Sequence, residues 1–150
     1  MSLHPQIINY TNTFRSSLDE KKRVTVPAKW RQEEEQELYC MVHFDNDRLV
    51  LMPVETYEKI TAQLESNPQM SHSQRQDMIA TFSARCGLLT IDKAGRVSLP
   101  PEKLSAVGIR RELVMTGGRD RFYVWSPEKH QAEEIRQADL TRQLSSSIGL

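Results

Sequence analysis

Two short segments of the chain place an aspartate four residues before an arginine. Residues 18–27 read LDEKKRVTVP and residues 91–100 read IDKAGRVSLP. In a tight turn the carboxylate and the guanidinium of such a pair can bond to each other and fix where the arginine fork points. A fixed fork suits guanine, because arginine reaches O6 and N7 together in the major groove. The alternative is that the pair only closes the turn, since surface ion pairs are common and individually weak.

This chemistry predicts a role for each charged residue of the two segments. Arg23 and Arg96 are expected to contact bases, while Asp19 and Asp92 stabilise the turns that present them. A two-stranded ribbon carrying such arginines is narrow enough to enter the major groove. Basic side chains nearby are expected to contact phosphates, namely Arg15, Lys21, Lys22 and Lys93.

The two segments belong to an internal repeat. A second pair of motifs, DRLVLM at 47–52 and DRFYVW at 120–125, has the same offset of 73 residues. Two motifs with one offset indicate two homologous halves. The copies differ at the position just before the arginine, where Gly95 suits a positive φ and stabilises the turn. Lys22 replaces that glycine in the first copy, at a cost of about 1 kcal/mol.

Each half is predicted to contain the same series of elements. A short strand enters the turn and forms a hairpin with the strand that leaves it, and proline then begins a short helical turn. A second hairpin and a helix follow, from Val54 in the first half and after Ser126-Pro127 in the second. The resulting division is an N-terminal extension at 1–12, a first half at 13–66, a linker and helix at 67–85, a second half at 86–138 and a C-terminal tail at 139–150.

The net charge is zero, with 20 basic and 20 acidic side chains, which by itself argues against a nucleic-acid partner. By segment, residues 1–31 carry six basic and two acidic groups, whereas residues 32–70 carry two basic and nine acidic groups. Neutrality therefore hides a marked asymmetry. The main acidic run, EEEQE at 33–37, has three interpretations. It is a solvated helix end, a contact for a neighbouring subunit, or a device that keeps DNA off the wrong face.

Other classes of function find little support. No cationic start with an apolar stretch and no bilayer-length apolar run occur, so we expect a cytoplasmic protein without a membrane partner. The two cysteines and four histidines lack ligand spacing, so no metal and no cofactor are expected. An enzyme would need acids that share a proton, Asp19 with Asp92 or Asp47 with Asp120, but each has an arginine nearby that keeps it ionised. Without a catalytic motif, we expect neither catalysis nor a small-molecule substrate.

The repeated DxxxR-V-[TS]-[VL]-P motifs, each followed by a hairpin and a helix, resemble the MraZ family of bacterial transcriptional regulators. PAKWR at 27–31, the stretch at 106–128 and the tail ADLTRQLSSSIGL add to this resemblance, which extends over residues 14–150. It implies an α+β, AbrB-like swapped-hairpin fold. In such a fold two tandem halves form an intertwined pseudo-twofold β-barrel with peripheral helices.

The resemblance also implies a function. Members of the family are said to form rings and to bind repeated GGG-containing boxes before the cell division and cell wall operon. The expected partners are therefore double-stranded promoter DNA and further copies of the chain in a ring-like homo-oligomer, associated with the nucleoid. The family's paired residues correspond to Asp19–Arg23 and Asp92–Arg96. An antitoxin-like or other protein-interaction module on the same fold is the alternative.

Overall fold

The computed structural model describes residues 9–150 of the chain. Residues 1–8 lie outside the described residues. They include most of the predicted extension at 1–12 and most of the opening stretch, whose lack of a cationic start with an apolar stretch underlies the expectation of a cytoplasmic protein. None of the described helices is long and apolar enough to span a membrane.

Eight strands and four α-helices follow one another along residues 9–150, so the predicted α+β class is confirmed. The strands are β1 (Thr13–Ser17), β2 (Arg23–Thr25), β3 (Glu37–Val42), β4 (Leu49–Pro53), β5 (Gly87–Thr90), β6 (Arg96–Ser98), β7 (Glu112–Gly117) and β8 (Phe122–Trp125). The helices are α1 (Val54–Ser66), α2 (His72–Arg85), α3 (Pro101–Ala106) and α4 (Pro127–Ser145). Short 3-10 turns cover Ala28–Trp30 and Ser146–Ile148.

The strands form one antiparallel sheet of six strands, in the order β1-β7-β8-β4-β3-β5, and a separate ribbon of β2 and β6. The predicted second hairpin of each half is confirmed, as β3 pairs with β4 and β7 with β8. Closure into a barrel is not observed, because β1 and β5 are the open edges of the sheet within residues 9–150.

The prediction that each Asp–Arg turn joins two strands paired with each other is wrong. β1 pairs with β7, β5 pairs with β3, and β2 pairs with β6. The reason lies just before each turn, where the amide of Leu18 donates to the carbonyl of Arg111 and that of Ile91 to the carbonyl of Gln36, each at 2.8 Å. The entering strand is thus already bonded to the other half, and the two halves are intertwined.

Local signals explain where the helices begin. The Ser126 hydroxyl accepts a hydrogen bond from the amide of Lys129 at 3.1 Å, and Pro127 is the first helical residue of α4, as predicted. α4 then continues without a break across residues 138 and 139. The interpretation of EEEQE as a helix end is wrong, since these residues form a turn that leads into β3.

The main core lies between the six-stranded sheet and the β2–β6 ribbon. The ribbon contributes Val24 and Val97, which are buried on one of its faces. Trp30 follows β2 and packs against the rings of Tyr10, Phe14 and Phe122, with centroids 4.9–5.7 Å apart. Each half therefore completes the core of the other, which holds the two turns in fixed places.

Candidate nucleic-acid interface

The first Asp–Arg turn, at residues 19–23, is closed by its own aspartate. Asp19 Oδ1 accepts hydrogen bonds from the amides of Lys21 and Arg23, both at 2.9 Å. Asp19 Oδ2 accepts from Nε of Arg23 at 2.7 Å. The amide of Asp19 also donates to the carbonyl of Arg23 at 2.9 Å. The carboxylate thus fixes both the backbone of the turn and the direction of its arginine.

The second turn, at residues 92–96, repeats these bonds. Asp92 Oδ1 accepts from the amides of Ala94 and Arg96, both at 2.9 Å, and Oδ2 accepts from Nε of Arg96 at 3.1 Å. The third residue after the aspartate has positive φ in both turns, 83° at Gly95 and 61° at Lys22. Replacing the glycine by lysine has therefore left the backbone hydrogen bonding of the first turn intact.

Both aspartates are charged at neutral pH. The backbone amide of Arg23, and then its guanidinium, hold the pKa of Asp19 below its ordinary value. The backbone amide and the charge of Arg96 do the same for the pKa of Asp92. Neither carboxyl is suited to hold a shared proton.

Each arginine is held through Nε, and its terminal nitrogens have no protein partner within residues 9–150. The side chain of Arg23 is 25% exposed and that of Arg96 is 37% exposed. The two terminal NH2 groups, Nη1 and Nη2, are donors that can bind a guanine edge or a phosphate in a bidentate manner. The turns therefore leave the recognising end of each arginine available.

The β2–β6 ribbon brings the two arginines onto one face. Arg23 lies opposite Ser98 and Arg96 lies opposite Thr25, so the arginines are diagonal neighbours across the ribbon. Neighbours of this kind lie about 7–8 Å apart. The buried valines fill the opposite face. The sequence placed the arginines in separate halves, and the swapped pairing joins them in one surface.

The residues predicted to contact phosphates are all exposed, but they are not equally placed. Lys21 and Lys22 lie in the first turn and Lys93 lies in the second. Arg15 lies on the outer face of β1, outside both turns and opposite Val114. The structure thus groups the three lysines with the turns and leaves Arg15 on the sheet edge.

Sequence reasoning missed a residue that lies against the second turn. The guanidinium of Arg31 packs on the backbone of Gly95, where a Cβ would overlap it. Gly95 is consequently buried, whereas Lys22 at the matching position is exposed. Arg31 follows Trp30 in the other half of the chain, so no local pattern could have shown the contact.

A cluster around the β3–β4 turn was also unforeseen. Ligand atoms of His43, Asp45 and Asp47 lie within 4.8 Å of one another. The guanidinium of Arg48 already supplies the positive charge there, since Nη1 donates to Asp47 at 3.0 Å and Nη2 lies 2.9 Å from Nε2 of His43. Arg48 also stacks over the Trp125 ring at 4.8 Å. The cluster therefore ties β3–β4 to β8 through arginine.

Comparison with known proteins gives consistent matches over most of the chain. A family model described as "MraZ protein, putative antitoxin-like" matches residues 10–79 and 87–148, one repeat in each half. A protein of Syntrophomonas wolfei is 30% identical over 120 residues, which are 80% of this chain and 82% of the relative. A protein of Caulobacter vibrioides is 27% identical over 137 residues, 89% and 87% of the two chains. One of Thermobifida fusca is 28% identical over 140 residues, 93% and 96%. All three are named "Transcriptional regulator MraZ".

Proposed function

The chain belongs to the MraZ family, and on that premise we propose that it is a DNA-binding regulator of transcription rather than an enzyme. The observation that carries this proposal is the outer face of the β2–β6 ribbon. It presents Arg23 and Arg96 together, each oriented by an aspartate and each with its terminal nitrogens available. A positioned arginine fork on a narrow ribbon is a means of reading guanine in the major groove.

The proposed target is double-stranded promoter DNA with repeated GGG-containing boxes, before the operon for cell division and cell wall synthesis. Arg23 and Arg96 would contact guanines, and Lys21, Lys22 and Lys93 would contact phosphates, with Arg15 as a further phosphate contact from the sheet edge. Backbone contacts position a protein on the duplex, and base contacts specify the sequence. Such a partner would place the protein in the cytoplasm, at the nucleoid.

A ring-like homo-oligomer fits this target. One chain with zero net charge binds DNA weakly, and several linked chains on repeated boxes gain affinity through effective concentration. The C-terminal end of the chain carries apolar side chains that are at least half exposed, Leu140, Leu144 and Ile148. An exposed apolar stripe of this kind supports contact between copies.

A second candidate is a protein-interaction module. The matching family model is itself described as antitoxin-like, and the apolar end of α4 would equally serve a protein partner. Under this candidate the arginines of the turns would not discriminate between DNA sequences. DNA binding therefore separates the two candidates.

The test is binding of the purified protein to a duplex with repeated GGG boxes and to a scrambled duplex of equal composition. We expect a clear preference for the repeat, which falls by about 1–3 kcal/mol for each arginine whose fork is removed. Arg23→Lys and Arg96→Lys keep the charge but remove the bidentate fork, so they should lose preference while retaining much of the non-specific binding. Equal binding of both duplexes by the unaltered protein would favour the interaction module.

A further inference from the structure

The segments that flank the two turns differ in charge. Equivalent positions beside the two turns can be identified from two backbone hydrogen bonds. Before the first turn, Leu18 bonds to Arg111, which precedes β7. Before the second turn, Ile91 bonds to Gln36, which precedes β3. By this match, Arg110, Arg111 and Glu112 flank the first turn, and Glu35, Gln36 and Glu37 flank the second. The first flank has a net charge of +1 and the second a net charge of −2.

Arg110 and Arg111 are exposed and face grooves beside the first turn. A groove of about 350 Å³ is lined by both arginines together with Asp19, Glu20 and Lys22. A second groove, of about 530 Å³, continues past the same arginines to Glu112 and to Pro127 and Glu128 at the start of α4. The first turn therefore opens directly onto these two arginines.

The guanidinium groups of Arg110 and Arg111 are not engaged in contacts that stabilise the described part of the fold. Within residues 9–150, neither Arg110 nor Arg111 makes a side-chain hydrogen bond or an ion pair. Among the carboxylates that line the first groove, Asp19 is already bound to Arg23, which leaves Glu20 to face three basic side chains. The fork of each arginine is thus available to a phosphate group.

The segment that precedes β3, beside the second turn, carries exposed acidic residues instead. Three consecutive carboxylates, Glu33 to Glu35, are exposed in the turn that precedes β3, and no ion pair engages them within the described range. Like charges near a DNA backbone repel it, and the effect is greatest at low salt. The exposed charges beside the first turn are therefore mainly basic. Beside the second turn, where Arg31 packs against Gly95, the exposed residues before β3 are acidic.

We propose that Arg110 and Arg111 form a binding site for the phosphate backbone of duplex DNA beside the first turn, and that Glu33, Glu34 and Glu35 prevent such a contact beside the second. The two turns of one chain are then unequal, with the first making the stronger backbone contact. This inference rests on the proposed DNA-binding function.

The test is the salt dependence of binding to the GGG-repeat duplex. In the Arg110→Ala/Arg111→Ala variant, the slope of log affinity against log salt should flatten by about 0.9 for each phosphate that the protein no longer binds. Preference over the scrambled duplex should not change, because phosphate contacts carry no sequence information. Arg110→Lys/Arg111→Lys keeps both charges and should retain the original slope. Arg119→Ala, which replaces an exposed arginine in the β7–β8 turn at the other end of β7, is the matched control and should leave the slope unchanged.

A gain of binding tests the other half of the proposal. Glu33→Gln/Glu34→Gln/Glu35→Gln removes three exposed carboxylates without adding a donor fork, and it should strengthen binding most at low salt. An unaltered slope in Arg110→Ala/Arg111→Ala, with normal binding by the unaltered protein, would overturn this inference and leave the proposed function standing. Failure of the unaltered protein to bind any duplex would overturn the proposed function, and this inference with it.

Discussion

The two halves of the chain contain the same Asp–Arg turn, but the residues that surround the turn differ. Both turns use one aspartate to bind two amides and an arginine Nε, with distances that differ by at most 0.4 Å. Outside the turns, some matched positions hold unlike residues, such as Trp30 and Lys103. The geometry of the arginine is therefore determined by bonds inside the five-residue turn, and the surroundings are free to set stability and charge.

The clearest difference between the halves lies in the side chains that pack next to the first strand of each half. Trp30 and Lys103 are separated by the repeat offset, and each donates a hydrogen bond of 3.0 Å to a carbonyl just before the first strand of its half. Trp30 bonds to Thr11 and is buried among three other aromatic rings. Lys103 bonds to Arg85 and is only half-buried. One hydrogen bond is common to both halves, and the large apolar contact belongs to the first.

The largest difference between the halves should appear when these donors are removed. Trp30→Ala should destabilise the protein by about 3–5 kcal/mol, because it leaves a cavity among Tyr10, Phe14 and Phe122. Lys103→Ala removes a partly exposed hydrogen bond and should cost about 1 kcal/mol. Urea unfolding followed by circular dichroism measures both. Equal losses of stability would mean that the aromatic packing adds nothing to the first half.

A smaller difference is expected at the third turn position. Gly95→Lys puts a side chain at φ 83° and displaces the Arg31 guanidinium, so it should cost about 1–2 kcal/mol. Lys22→Gly relieves the same strain at an exposed position and should change stability by less than about 1 kcal/mol. Thermal unfolding of the two variants compares them. The comparison fails if Gly95→Lys is as stable as Lys22→Gly.

Local signals in the sequence predicted most elements, but not the pairing of the strands. Proline after each outgoing strand and Ser126-Pro127 before α4 act within a few residues, and the structure agrees with both. The partner of β2 depends on burying Val24 against Val97 from the other half, and the turn sequence is equally compatible with a local hairpin. Only the family resemblance indicated the intertwined arrangement.

In the candidate site, too, contacts within one turn could be predicted from the sequence, whereas contacts between the two halves could not. The pairing of each aspartate with the arginine four residues later could be read from spacing, because both partners lie in one turn. Arg31 at the second turn and Arg111 at the first come from the other half of the chain. The pairing of strands between the two halves determines which turn each of these arginines lies against. Charge counted along the sequence therefore located the basic and acidic segments without showing which turn each one flanks.

The smallest expected difference in stability concerns the β7–β8 turn of the second half, which is contacted by α1 of the first half. Thr56 Oγ donates to the carbonyl of Asp120 at 2.7 Å, and Nζ of Lys59 lies 3.1 Å from its carboxylate. The hydrogen bond from the neighbouring Arg121, and then that from Lys59, lower the pKa of Asp120 to about 2 from an ordinary value of 3.8. A lowered pKa in the folded state adds stability that is fully present above about pH 4, since the unfolded group is then also ionised.

That stability should disappear as the pH falls towards 2, because protonation removes the charge that Arg121 and Lys59 bind. Asp120→Asn should therefore lose less stability than the unaltered protein between pH 4 and pH 2, as measured by urea unfolding at a series of pH values. Lys59→Ala should fall between the two, since it removes only the weaker of the two hydrogen bonds. If Asp120→Asn follows the unaltered protein throughout this range, the hold of α1 on the second half does not depend on that carboxylate. The hydrogen bond from Thr56 would then be the side-chain bond that anchors the helix.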